Sequence, residues 1–501
     1  MSNRIGIGID VFGAGIDADA TTIYNRIIAD GGVSNLTRLN FFVKGLKSIY
    51  GDLANVPVCY DAHWIGYKLG SGTGATAGQA AAKLYSLTVA GDAVQTTAAS
   101  QPLLLSHNGD NYFYVPRIDG NNCTAPDAVA NRIAGDIEII SYIELKGTEA
   151  DRMIISKGNA SNANYALVVS TSNIPYFLNG DLISRSASTN LANANTWLRV
   201  TREDSNGNIK FWTSTDSKTT APLSVNWTQL GTTITGPTGN RTPGTGILTV
   251  GKYSSYTNNS FNGNIFRATV SSVIGGTPVV DFNPATYNAS TSQTAWTSAT
   301  GEIWTISTGT ATTGYKGVLV NRTIVMADGV DDNMVSSISL INQIAITNYM
   351  SVKNYNNTTV SVVYEFGETT TSIQGFGYLR NTPTSGKSNI RLYGDVGANQ
   401  SSFDDVDNLL KLATSVMDTS LVGISETSIF AVNNVLKTQT NILPVENTKV
   451  TTANLYLLAR SANSLNSNLN LNTFLVSKLA DNATTRTATY NLIRSLNNNA
   501  F

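Results

Sequence analysis

The segments DRMIISKG (151–158), ANYALVVST (163–171), TWLRVTRE (196–203), NIKFWTSTD (208–216), TGILTVGKY (245–253) and GNIFRATVSS (263–272) follow one another between Asp151 and Pro284. Each alternates apolar with polar residues, and each is bounded by Gly, Asn, Asp, Ser or Pro. A period of two places the apolar side chains on one face of a sheet. Turn residues at roughly eight- to twelve-residue intervals then mark an antiparallel sandwich or barrel. The hairpin TREDSNGNIKFW (201–212) carries Asn206-Gly207, a pair that accepts positive φ and reverses a strand tightly. Trp197, Trp212, Trp227, Trp296 and Trp304 are expected to supply the large core residues of this half.

Outward from this stretch, VQTTAASQPLLL (94–105), YFYVPRIDGN (112–121) and IEIISYIEL (137–145) extend the strand series upstream, and VVDFNP (279–284) and EIWTIST (302–308) close it. A first sandwich is therefore placed at 89–315. The order of features then repeats loosely in 316–501. VPRIDGNN (115–122) is echoed by IVMADGVDD (324–332), and TWLRVTRE before NIKFWTS by TSLVGISE (419–426) before SIFAVNN (428–434). GILTVGKYS before NIFRATVSS is echoed by NLYLLARSA (454–462) before NTFLVSKLA (472–480). Shared order in shared phase points to a duplicated sandwich.

Residues 1–88 read differently. After a Gly/Ile/Asp-rich arm, DADATTIYNRIIADGG (17–32) carries helix signals: Asp17 or Asp19 as cap, Ile23, Ile27 and Ile28 on one face, and Gly31-Gly32 as the stop. A second helix takes Ser34 as N-cap and sets Leu36, Leu39, Phe42, Val43, Leu46 and Ile49 at helical spacing up to Gly51. An aromatic cluster (Tyr60, His63, Trp64, Tyr67) and the linker GSGTGATAGQ (70–79) follow. The chain closes on ATTRTATYNLIRSLNN (483–498), an amphipathic helix with Tyr490, Ile493 and Leu496 on one face.

Charged residues make up 13% of the 501, about half the usual share of roughly 25%. Asn, Thr and Ser take their place, solvating sheet faces and filling turns without charge. The net charge is −1 with no Lys/Arg run, so nothing here neutralises a phosphate backbone and nucleic acid is not an expected partner. No stretch approaches the length of a membrane span, and the first twenty residues do not read as a signal peptide. Two cysteines, Cys59 and Cys123, lie in different segments and leave pairing open, with free thiols favoured.

The run from DRMIISKGN through NYALVVS, TWLRVTRE, NIKFWTSTD, ILTVGKYS and NIFRATVSSVIGGTPVVDFNP resembles a laminin-G-like, concanavalin-A-type jelly roll. More narrowly, it is similar to the version found in structural proteins of tailed bacteriophages. MADGVDD (326–332) matches a turn in which that family often has F-D-G-x-D-D. Here Ala327 and Ile118 stand in the Phe position, and the first copy has Asn121-Asn122 where the second has Asp331-Asp332. The resemblance implies a mainly β chain: two concanavalin-A-like (LamG) jelly-roll sandwiches at 89–315 and 316–501, preceded by a small helical region at 1–88. It implies a virion protein assembled in the host cytoplasm, docked to other virion proteins through 1–88. A fibre or spike attaching to host surface glycans, and a capsid-decorating protein without ligand, both fit that place, and a homo-oligomer, a trimer by analogy with fibres, is expected.

Catalytic readings find little to stand on. The two histidines, His63 and His107, lie outside the strand series, and no G-x-S-x-G elbow is present. Asp136, Glu138 and Glu144 share one strand, as a polysaccharide-degrading site on this fold would need, but not at its compact spacing. The chain is expected not to be an enzyme. Calcium is the cofactor candidate, with Asp328, Asp331 and Asp332 as hard oxygen ligands in one turn; a turn satisfied by its own backbone amides is the alternative. Sugar stacking needs aromatic faces beside amides, and KYSSYTNNSFNG offers Tyr253, Tyr256, Asn258, Asn259 and Phe261. Asp404, Asp405 and Asp407 form a further acidic cluster, read as a solvated loop.

Overall fold

The computed structural model describes residues 15–71, 79–116, 122–147, 151–158, 164–180, 185–239, 243–253, 260–307, 315–328, 330–338, 345–355, 361–367, 376–380, 387–394, 397–404, 409–418, 428–437, 439–441, 454–459 and 468–501. It is mainly β, with antiparallel strand pairings and three α-helices among these residues.

One eight-stranded sheet runs from edge to edge through Thr228–Thr235, Asn208–Ser214, Asn195–Arg202, Ile137–Leu145, Gly263–Ser271, Tyr112–Val115 and Val318–Val320. Val280–Phe282 lies beside Gly263–Ser271. A second sheet of eight strands runs through Arg185–Ser186, Pro175–Leu178, Tyr165–Val169, Arg152–Lys157, Leu248–Val250, Cys123–Ala125, Ile303–Ile306 and Ala295–Thr297. The two share one core, to which Ile139, Val200 and Phe211 come from the first and Ile155, Leu167 and Trp304 from the second. The alternation seen in the sequence supplies these residues from every other position. Of the five tryptophans expected in this core, Trp296 and Trp304 are there. Trp197 is buried on the opposite face of its sheet with Ile140 and Val225. Trp212 and Trp227 are only partly buried, because they flank the Arg199 guanidinium at 5.5 and 5.6 Å.

The other pair of sheets repeats this strand order. One runs Val435–Leu436, Ser428–Val432, Lys411–Asp418, Ala345–Asn354, Asn468–Ser477, Ile324–Asp328 and Leu103–Leu105, with Val58–Tyr60 beside Asn468–Ser477. The facing sheet, ten strands wide, is centred on Ala93–Val94, Met334–Ser336, Asn454–Leu457 and Ser361–Gly367. In this order Lys411–Asp418 stands where Asn195–Arg202 stands in the first pair, so KLATSVMD and not TSLVGISE is the counterpart of TWLRVTR. The chain thus alternates a lead segment with a sheet-forming body: lead 58–105, body 112–271, lead 280–320, body 324–477.

The first body is completed by the lead that follows it: Val318–Val320 pairs with Tyr112–Val115 and Ile303–Ile306 with Cys123–Ala125. The second body takes the N-terminal lead instead. Leu103–Leu105 pairs with Ile324–Asp328, and Val58–Tyr60 with Asn468–Ser477 in the register Val58↔Val476 and Tyr60↔Phe474. One sheet pair is therefore inserted within the other. The boundary expected at 88/89 falls between Ala81–Leu84 and Ala93–Val94, which are hydrogen-bonded neighbours (Lys83↔Val94, Leu84↔Ala93). By its pairing, 58–105 goes with 324–477.

The helices form a layer on the outer pair. α1 (Ala18–Ala29) is capped by Asp17, whose side chain accepts from the Asp19 N–H. α2 (Leu36–Tyr50) is capped by Asn35, which accepts from the Arg38 N–H. Ser34, the expected cap, donates its hydroxyl to the Ile65 carbonyl. Gly51, with φ +77, ends α2 in a conformation that favours glycine. α3 (Ala483–Leu496) is capped by Asn482. Leu39, Phe42, Leu46, Leu492 and Ile493 pack with Tyr349, Leu412 and Leu475 of the sheet, whose neighbours Met350, Ala413 and Phe474 point to the other side. This sheet is covered on both faces, and so every residue of Asn468–Ser477, its polar ones included, is buried. Gly45 lets α2 and α3 close up: a Cβ there would stand 2.9 Å from a Leu492 methyl.

The nesting makes a prediction about fragments. Residues 107–321 expressed alone are expected to fold cooperatively, seen as one sharp thermal transition by circular dichroism and protected Trp fluorescence. Deleting 1–88 strips strands from the outer pair and is expected to yield a chain lacking that pair's cooperative transition. A well-folded deletion with both transitions would overturn the pairing.

Candidate functional site

The segment that hands the chain from the inserted pair back to the outer pair carries Asn321, Arg322 and Thr323. Arg322 is buried, and its Nη2 reaches both carboxylate oxygens of Asp61 at 2.7 and 2.6 Å. Its Nη1 donates to the Leu496 carbonyl and to Asn497 Oδ1. Asp61 also accepts from the His63 and Trp64 N–H groups and from the Thr473 hydroxyl. Four distant stretches of chain meet at one ion pair.

Beside it the fold brings together the two histidines, which sequence spacing had kept apart. Their ring centroids are 5.8 Å apart. His63 Nδ1 accepts the Thr323 backbone N–H at 3.1 Å, which fixes the Nε2-protonated neutral tautomer. Burial, then the Arg322 and Arg38 charges, pulls His63 down to about 2. Burial also lowers His107, whose Nε2 faces Asn111 Oδ1 at 3.1 Å. These are structural histidines at the joint between the sheet pairs. Their rings hydrogen-bond the side chains of Arg38 and Asn111.

Asp328, Asp331 and Asp332 do converge, with one carboxylate oxygen of each within 4.8 Å of the others. Ile324–Asp328 ends on the first and Met334–Ser336 begins just past the third. Asp332 is 1% exposed and accepts from the Asp328 N–H at 2.9 Å and the Tyr315 hydroxyl at 3.1 Å. Asp328 accepts from the Val330 N–H at 2.8 Å. Burial, and then Asp328, raises Asp332 well above its ordinary 3.8; burial raises Asp328 as well. Three hard oxygens fit a calcium ion in chemistry, with the remaining ligands to come from backbone or water. Two of the three carboxylates, Asp328 and Asp332, each already accept a backbone amide.

The residues proposed for sugar stacking are placed otherwise. Tyr253 is buried with Met153 and Val168, and Phe261 is fully buried in the main core of the inserted pair. Neither presents a ring face to a sugar. Tyr256, Asn258 and Asn259 lie outside the described residues, as do Asp405 and Asp407.

The strand carboxylates are each engaged. Glu138, buried, takes Arg199 at 2.6 Å and the Gly275 N–H at 3.1 Å. Asp136 accepts the Asp204 N–H, and Glu144 the Asn264 amide. Cys59 and Cys123 are free and buried, and burial raises both thiols. No helix among the described residues is long and apolar enough to cross a membrane.

No protein-family model matches the chain, and no curated protein does. Among solved structures it is similar in part to the botulinum neurotoxin type G receptor-binding domain, with TM-score 0.27 and 12% identity over 34% of this chain and 43% of that one. The botulinum neurotoxin serotype D binding domain follows at TM-score 0.27 and 11% identity, over 33% and 42%. The binding domain of Paraclostridial Mosquitocidal Protein 1 gives 0.27 and 8%, over 34% and 43%. The chain spans less than half the length of each, and a likeness at this score carries no argument about function.

In chelator, the raised Asp332 carboxyl binds its proton more tightly folded than unfolded. Its stabilising share is full below the ordinary 3.8 and is lost as pH rises through the raised value. Wild type is therefore expected to lose stability relative to Asp332→Asn as pH rises from about 4 through the raised Asp332 value, and millimolar calcium to raise the wild-type Tm but not that of Asp331→Asn. An unchanged Tm would leave the turn to its own amides. Asp61→Ala, which strands Arg322, is expected to cost about 3–5 kcal/mol in denaturant unfolding.

Proposed function

We propose that this is a non-enzymatic structural protein of a bacteriophage particle, displayed on its surface. It presents two concanavalin-A-like jelly rolls, one nested in the other, for attachment to host carbohydrate. The observation that carries the reading is the engagement of the candidate acid–base groups within the fold. Asp136 holds a backbone amide, Glu138 and Asp61 hold arginines, Glu144 holds the Asn264 side-chain amide, and His63 is kept neutral. A retaining or inverting glycosidase needs two carboxyl groups free to face a sugar, whereas Asp136 and Glu138, the pair at closest spacing, are both engaged. The charge-poor, Asn/Thr/Ser-rich composition and the resemblance of 89–315 to phage jelly rolls support the location. The helical layer of α1, α2 and α3 is the part suited to docking on other virion proteins.

The purified full chain is expected to bind host cells saturably, with soluble surface polysaccharide competing and no shorter fragments appearing on incubation. Absence of binding would turn the reading to capsid decoration. Release of fragments would replace it with polysaccharide degradation.

A further inference from the structure

A groove of about 350 Å³, partly open to solvent, runs between α2 and α3. Gly45, Ser48 and Ile49 of α2 form one wall, and Thr484, Ala488 and Leu492 of α3 form the other. Gly45 and Leu492 are buried at its base, while Ser48 and Thr484 are exposed at its rim. Among the described residues, no charged side chain lines it. The described chain starts beside this groove. The Gly15 carbonyl accepts from Lys44 Nζ at 2.7 Å, and the Asp17 N–H donates to Asn40 Oδ1 at 2.8 Å. Lys44 and Ser48 are neighbours on the α2 surface, one turn apart, so residues 1–14 leave along the α2 wall of the groove.

The stretch that leaves there contains IGIGI (5–9). In an extended chain a period of two sets Ile5, Ile7 and Ile9 on one side and Gly6 and Gly8 on the other. That is a ribbon with branched apolar side chains on one side, bare backbone on the other, and no charge. It matches the groove in both respects that recognition needs here: apolar against apolar, and uncharged against uncharged. Residues 10–14 tether it to Gly15. Five extended residues span up to about 17 Å, and Ser48 lies only about 6 Å along the helix axis from Lys44. So short a tether holds the ribbon at an effective concentration of roughly millimolar, which favours this chain's own segment over a free partner.

We propose that residues 5–9 of the same chain occupy the α2–α3 groove as an extended strap, with Ile5, Ile7 and Ile9 turned toward Ile49, Ala488 and Leu492. The strap ties the segment 1–14 to α3 across α2 and closes an apolar groove on the helical layer. It stands independently of the attachment reading above.

The test uses the full chain carrying Ile7→Cys and Ser48→Cys. Cys59 and Cys123 are buried, so they do not compete for the new thiols. In a glutathione redox buffer, a disulfide between positions 7 and 48 is expected to form within one chain. Its rate should exceed at least tenfold that of a control pair, Ile7→Cys with Thr37→Cys. Thr37 is exposed on α2, two turns before Lys44 and outside the groove, yet within reach of the same tether. Adding Ile5→Asp and Ile9→Asp to the first pair should bring its rate down to the control's, because an unpaired charge does not enter an apolar groove. Ser48 is exposed, and Ser48→Cys alone is expected to keep the wild-type Tm, so a missing cross-link reports on the strap and not on misfolding. Equal rates at positions 48 and 37, or a rate indifferent to the two aspartates, would overturn the proposal. Disulfides formed between chains instead of within one would overturn the same-chain assignment and give the groove to the segment of a second copy.

Discussion

The buried pair of Asp61 and Arg322 is the constraint on which the arrangement of the chain depends. Their side chains are 0% and 4% exposed. Ion pairs so deeply placed add little net stability over a well-packed apolar pair, yet losing one partner leaves a charge where water cannot reach it. What the pair supplies is position. Asp61 comes from the N-terminal lead, Arg322 from the return of the inserted pair, Thr473 from the central strand, and Leu496 and Asn497 from the end of α3. An alternative closure of the sheets would have to leave at least one of these groups unpaired.

The helical layer follows from the same closure. Once Val58–Tyr60 lies beside Asn468–Ser477, Cys59 and Leu475 face away from the sandwich core and need cover. α1, α2 and α3 provide it, with Tyr50 and Tyr349 both donating to the Asp481 carboxylate beneath them. Burial raises Asp481, so its two tyrosine donors replace part of the hydration it has lost. Among the described residues the inserted pair has no such helical layer. Its corresponding sheet face is covered in part by small clusters such as Trp197, Ile140 and Val225.

Local structure was legible in the sequence to the extent that local forces set it. The strand segments between Asp151 and Pro284, the three helices and the Asn206-Gly207 reversal appear where period and turn chemistry place them. The acidic turn was legible because its three aspartates are close in sequence. The N-terminal lead was not. Its strands are short, Val58–Tyr60 and Ala93–Val94 among them, and their partners lie hundreds of residues away, a distance no periodicity encodes. The same limit hid the meeting of His63 with His107 and the groove, whose walls come from residues 45–49 and 484–492. Tyr253 and Phe261 misled for a different reason. Aromatic residues near a polar turn suit a stacking platform and a strand end equally well, and burial alone tells them apart.

The clasp of the N-terminal strand on the C-terminal one also bears on how the molecule carries load. Val58–Tyr60 runs antiparallel to Val476–Phe474, so tension applied between residues 58 and 476 falls on this contact and bypasses the inserted pair until it opens. A pull on the inserted pair travels differently. It reaches the outer pair through two covalent connections, 106–111 and 321–323, side by side and bracketed by paired strands. A bead on a single tether swivels; one held by two resists twisting. Nesting holds the inserted pair on a double neck.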